Sequence, residues 1–100
     1  MGEDKYSWTL HARLKLKYYG LSESRIKRII RFPARTEEGI VEGTIAVMSP
    51  AETKRYTEIW TMYKISKKRI RIITAWRYPG KSPARDPIPP EILKEVRKIL

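Results

Sequence analysis

From Trp8 to Leu16 the chain carries two periodicities at once. Trp8, Leu10, Ala12, Leu14 and Leu16 alternate with polar residues, the period of a half-buried strand. Leu10, Leu14 and Tyr18 also stand at i, i+4 and i+8, the spacing of one helix face. The flanks decide for helix. Thr9 can cap its start, Gly20 stands where a helix-terminating glycine belongs, and the Ala, Leu, Arg and Lys between them favour helix. Residues 6–10 are a short strand or a lead-in. Ser22 caps a second helix, without the glutamate of a capping box. Ile26, Ile29 and Ile30 form its apolar stripe, Arg25, Lys27, Arg28 and Arg31 take much of the rest, and Pro33 stops it near Arg31 or Phe32.

Three strands are expected next, over residues 40–48, 54–64 and 69–78. Gly39 and Gly43 loosen the first, Ser49-Pro50 opens the next connection, and Ser66-Lys67-Lys68 makes a hairpin turn. Strict alternation in the third assigns Ile70, Ile72, Thr74, Trp76 and Tyr78 to the core. It assigns Arg69, Arg71, Ile73, Ala75 and Arg77 to a basic, partly solvated face. Pro79-Gly80 ends that strand, and residues 81–90, with four prolines, read as an extended linker. A last amphipathic helix over residues 90–100 shows Ile92, Leu93, Val96 and Leu100 on one side, and is too short to be stable undocked. The expected class is α+β: two N-terminal helices on one face of a three- to four-stranded antiparallel sheet, plus a C-terminal helix. Residues 1–80 form the domain, and residues 81–100 are a linker and helix docked on it.

One hundred residues suit one domain. No apolar run is long enough for a membrane helix, and Met1-Gly2-Glu3-Asp4-Lys5 has no signal-peptide core. The expected compartment is the cytoplasm, with no membrane partner. Without cysteine, and with His11 as the one histidine, thiolate zinc, multi-histidine metal sites and disulfides are excluded. No metal and no cofactor are expected. Charge changes the picture most. Twenty-two Lys and Arg against eleven Asp and Glu leave a formal net charge of +11. Self-repulsion on that scale points to a polyanionic partner, with nucleic acid the leading choice and the ribosome the largest local polyanion.

Metal-free RNA cleavage needs a base for the 2′-hydroxyl, cations on the phosphate and an acid for the leaving oxygen. His11 can act as base or acid near neutral pH. Arg71 and Arg77, assigned to one face, are candidate phosphate clamps. Tyr78 can stack on a base, donate its hydroxyl, or simply pack in the core. Lys64, Lys67, Lys68 and Arg69 cluster at the hairpin and suit backbone binding. Glu58 is a candidate base or a cross-strand ion-pair partner, while Tyr18, Tyr19 and Trp60 can stack on bases or fill the core. The helix carrying Arg25 and Arg31 has the charge to enter a major groove, but no helix at helix-turn-helix spacing leads into it. No phosphate-cradling glycine loop, Ser-His-Asp set or RNA-recognition aromatic signature is present.

His11-Ala12-Arg13, then Tyr19-Gly20-Leu21-Ser22-Glu23, then Ile26, Ile29-Ile30 and Pro33 resemble the start of a bacterial domain family of unknown function. That family is grouped with the RelE, ParE and BrnT toxins. Arg71-Ile72-Ile73-Thr74-Ala75-Trp76-Arg77-Tyr78 is similar to the last strand of RelE-like and YoeB-like toxins. The resemblance spans about residues 6–79. It implies a RelE-like fold and a ribosome-associated, metal-independent mRNA endonuclease that inhibits translation and is neutralised by an acidic antitoxin. His11, Arg71, Arg77 and Tyr78 are the catalytic set it implies, with Thr74 at a polar position and Arg13 joining the RNA-binding residues. The chain departs from RelE-like members in placing Lys54 and Lys64 at opposite ends of one expected strand, and in its added final helix. Two further classes stay open: a non-catalytic RNA- or ribosome-binding module, and a gyrase-directed or DNA-binding toxin-family protein.

Overall fold

The computed structural model describes residues 5–40, 42–51 and 53–99. Its elements run β1 (Tyr6–Trp8), α1 (Leu10–Tyr19), α2 (Glu23–Arg31), β2 (Arg35–Glu38), β3 (Thr44–Ala51), β4 (Thr57–Ser66), β5 (Arg69–Pro79) and α3 (Pro90–Arg97). The α+β class and the three helices stand as expected. The last helix stops at Arg97, with Lys98 as its C-terminal cap, short of the expected end at Leu100, which itself lies outside the described residues.

Local signals explain the first half. The Thr9 hydroxyl accepts from the Ala12 amide at 2.9 Å and donates to the Ile73 carbonyl at 2.9 Å, so one residue caps α1 and ties it to β5. Gly20, at φ 68°, takes the left-handed turn that closes α1. The Ser22 hydroxyl accepts from the Arg25 amide and caps α2. Both periodicities of α1 are used. Ala12 and Leu16 are buried, while Leu10, Leu14 and Tyr18 are exposed. The i, i+4, i+8 row therefore faces solvent, and part of the alternating set forms the inner face.

The sheet differs from expectation. It is five-stranded and mixed, in the order β1-β5-β4-β3-β2. β1 pairs parallel with β5, Tyr6 opposite Ile70 and Trp8 opposite Ile72, while the other neighbours are antiparallel. Three residues were too few to show their pairing in sequence. The strand expected over residues 40–48 starts only at Thr44, as β3, and an unforeseen β2 precedes it; Gly39, where a Cβ would collide with Thr44, lets the chain double back between them. Lys54 lies before β4 rather than in it.

Helices pack on both faces of the sheet, not on one. Ala12, Leu16, Ile26 and Ile29 from α1 and α2 bury with Val47, Ile59, Tyr63, Ile72 and Ala75. On the opposite face, Ile92 and Val96 of α3 bury with Met48, Trp60, Met62, Ile73 and Trp76. Trp60 and Trp76 stack there with ring centres 5.8 Å apart, and the Arg35 guanidinium lies 5.1 Å from the Trp60 ring. The segment before α3 is fastened to this face, where the Trp76 indole donates to the Pro87 carbonyl at 3.2 Å.

A bulge in β5 corrects the assignment of faces. Tyr63 pairs with Ile72 but Met62 pairs with Thr74, which leaves Ile73 as an extra residue. Beyond it the alternation is displaced by one. Ile70 and Ile72 therefore share a face with Ala75 and Arg77, whereas Arg71 shares the other with Thr74, Trp76 and Tyr78. The bulge lies where β1 hands over to α1, with the Thr9 amide donating to Ile72 at 3.1 Å.

Candidate nucleic-acid interface

Register across the sheet sets the floor of a groove. Ser49 pairs with Ile59, and Ile59 with Arg77, so all three point to the face covered by α1 and α2. Over this row α2 and the end of β3 bound an open groove of about 1120 Å³. Arg25, Lys27, Arg28, Arg31 and Arg77 line it, with the hydroxyls of Ser22, Ser24, Ser49 and Thr53. None of the described lining residues is acidic. Among the described residues, no carboxylate pairs with Arg25, Arg28, Arg31 or Arg77. Lys27 stands 5.1 Å from the Tyr6 ring. Arg77 is held by its Nε, which donates to the Tyr19 carbonyl at 3.1 Å. Its two terminal amino groups have no partner among the described residues. Five cations in one concavity give a strong local field for a polyanion.

His11 sits elsewhere. A second pocket of about 650 Å³ lies between α1 and α3, lined by His11, Lys15, Tyr18, Tyr19, Glu91 and Glu95 among others. His11 Nε2 is 3.0 Å from the Thr74 hydroxyl and 3.7 Å from a Glu95 oxygen. Lys15 binds that same oxygen at 3.0 Å, so the final helix partly covers the imidazole. Burial lowers the His11 pKa below its ordinary 6.5, Glu95 opposes this and Lys15 adds to it. The neutral ring is therefore favoured in the folded state, and the unfolded chain takes up protons first as pH falls. Stability from neutral His11 is complete above about pH 6.5 and declines as pH falls below it. His11→Gln should flatten that decline in urea melts at about pH 5.5 and about pH 7.5. Parallel pH profiles for the two proteins would remove His11 from the account.

The structure does not assemble the expected catalytic set. Arg77 faces the groove, Arg71 and Tyr78 lie on the other face of β5, and His11 is in the α1–α3 pocket. Arg71 and Arg77 were assigned to one face, and the bulge at Ile73 puts them on opposite faces. Tyr78 packs against the Trp60–Trp76 core. Lys64, Lys67, Lys68, Arg69 and Arg71 do gather, with Lys64 directly opposite Arg71, around a turn in which Lys67 and Lys68 have φ 49° and 65°. That patch is at the far end of the sheet, where Lys64 lies five β4 residues beyond Ile59, or roughly 17 Å, and the turn follows it. Arg13 is engaged by Glu23 at 2.7 Å. Glu58 is fully buried as a hub of hydrogen bonds. Trp60 fills the core beside it, and Tyr18 is exposed.

No family model, no curated sequence and no solved structure matches the chain. Among the described residues no helix is long and apolar enough to cross a membrane, and no group of three or more His, Asp or Glu is placed to hold a metal ion. The groove residues missed as a site are Arg25, Arg28, Arg31 and Phe32. Their signal was four cations in one nine-residue helix, weighed only as a major-groove reader.

Proposed function

We propose that this chain binds RNA, holding the sugar–phosphate backbone in the groove between α2 and the end of β3. One observation carries the reading: five cations converge there and no described carboxylate neutralises the four arginines. Guanidinium groups suit phosphate because their forked donors match its oxygens. The serine and threonine hydroxyls at the rim can reach phosphate or 2′-hydroxyl oxygens. The hairpin cations add a second, remote patch that can follow a longer strand.

The test is binding of a hairpin RNA with both stem and loop, followed by fluorescence anisotropy over a salt series. Affinity should fall steeply with salt, and Arg28→Ala should lower the slope of log K against log salt by about 0.7–0.9. No binding near physiological salt, or an unchanged slope in Arg28→Ala, removes the proposal.

A second reading is the mRNA endonuclease of RelE type acting at the ribosome. It draws on one observation: a histidine favoured as neutral opens into its own pocket beside Lys15. In that reading His11 takes the 2′-hydroxyl proton, the 2′-oxygen displaces the 5′-oxygen at phosphorus, water in the open pocket protonates the departing 5′-oxygen, and neither Arg71 nor Tyr78 assists. The same incubation with ribosomes, resolved for new RNA ends, separates the two. New ends that vanish in His11→Ala with binding retained favour the nuclease, and intact RNA leaves binding alone. An acidic protein partner, also implied by the resemblance, would find an apolar row at Leu10, Leu14 and Tyr18 with Lys17 alongside.

A further inference from the structure

Among the described residues, Phe32 is the one aromatic lining the basic groove, and it is 75% exposed. It belongs to neither core cluster, so the fold gains almost nothing from the ring. Its placement is nevertheless fixed. Phe32 is the C-terminal cap of α2, its amide donates to the Arg28 carbonyl at 2.9 Å, and Pro33 restricts the Phe32 backbone itself. Arg28 and Arg31 flank it on the same helix end.

These surroundings select the occupant. An apolar protein surface laid on Phe32 would strip water from Arg28 and Arg31 and give them no counter-charge. A nucleic-acid strand supplies both a flat π-face for the ring and phosphates for the guanidinium groups. A duplex cannot do so, because its bases are stacked and paired inside. We propose that the groove takes single-stranded RNA, with one unpaired base stacked on Phe32 and the adjoining phosphates held by Arg28, Arg31 and Arg77. The inference rests on the RNA-binding reading and adds to it the strandedness of the substrate and the residue that senses it.

The experiment uses the full chain with a short single-stranded RNA carrying one 2-aminopurine, and a blunt duplex of the same sequence. The single strand should bind more tightly than the duplex. Phe32→Ala should weaken single-strand binding roughly 5- to 100-fold while leaving the salt slope unchanged. Phe32→Tyr, which keeps the ring, should stay within about twofold of wild type. Base fluorescence should be quenched by wild type and Phe32→Tyr, and not by Phe32→Ala. The exposure of Phe32 means that Phe32→Ala should melt with wild type, which a thermal scan checks. Equal binding of both RNA forms, or a Phe32→Ala protein that binds the single strand like wild type, overturns the stacking proposal and leaves RNA binding standing. Failure of the wild type to bind either RNA overturns both.

Discussion

Replacing Glu58 with alanine is expected to destabilise the fold by about 3–5 kcal/mol, the scale for breaking a buried charge network from one side. That is a large share of the roughly 5–15 kcal/mol available to a domain. The carboxylate has no solvent contact. It accepts from the Tyr56 hydroxyl at 3.0 Å, the Trp60 indole at 2.9 Å, and the Ser82 hydroxyl and amide at 2.5 and 3.3 Å. Arg35 stands 3.7 Å away and itself donates to Ser82 and Pro83. Alanine would leave a buried indole and amide without an acceptor, and would free the segment leading to α3.

Two readouts separate this fastening role from a generic core loss. Trypsin should cut Glu58→Ala faster after Lys81 and Arg85, both exposed in the fastened segment. Acid sensitivity should change as well. Burial pushes the Glu58 pKa up, but the donors from Ser82, Trp60 and Tyr56 outweigh it and hold it below the ordinary 4.5. A carboxyl lowered in the folded state contributes stability that is complete above about pH 4.5 and lost as pH falls through its folded pKa. Glu58→Gln should therefore cost stability at neutral pH and show a shallower loss below about pH 4.5. A loss under about 1 kcal/mol in Glu58→Ala would mean that the network fastens nothing.

What could be read in advance followed the range of the interaction. The first two helices are set within a few residues by Thr9, Gly20, Ser22 and Pro33, so their limits were legible. The β4–β5 hairpin was legible for the same reason, through its turn at Lys67 and Lys68. The parallel pairing of β1 depends on partners more than sixty residues away, and nothing in Tyr6-Ser7-Trp8 announces it. The bulge was hidden because Ile70, Ile72, Thr74, Trp76 and Tyr78 alternate as if no residue were extra. That one displacement carried Arg77 to the face of α2 and parted it from Arg71 and Tyr78. The cations of α2 were visible in sequence. Their convergence with Arg77 on one groove was not, because it needs both the bulge and the Ser49–Ile59–Arg77 register. Glu58 read as a candidate base or a cross-strand ion-pair partner because its true neighbours Ser82 and Arg35 are distant in sequence.

Reversing three groove charges together, in a variant carrying Arg25→Glu, Arg28→Glu and Arg31→Glu, is expected to weaken RNA binding by at least about 100-fold near 0.1 M salt. Each lost phosphate contact on a single strand removes about 0.7 from the salt slope, hence about fivefold in affinity at that salt, and three act together. Repulsion by the new carboxylates adds to this. All three side chains are exposed, so the variant should keep most of its stability. The cost should come mainly from losing Arg28 and Arg31 in the last turn of α2, where cations suit the helix dipole. The control is Lys64→Glu, Lys67→Glu and Lys68→Glu at the hairpin. It changes net charge by the same amount at the other end of the sheet. Net charge alone acts through a field screened beyond about 8–10 Å, whereas a phosphate grip acts at contact. The groove variant should therefore lose far more affinity than the hairpin variant. Equal losses would mean that RNA responds to the overall positive charge of the molecule, and the concavity beneath α2 would have no special part in binding.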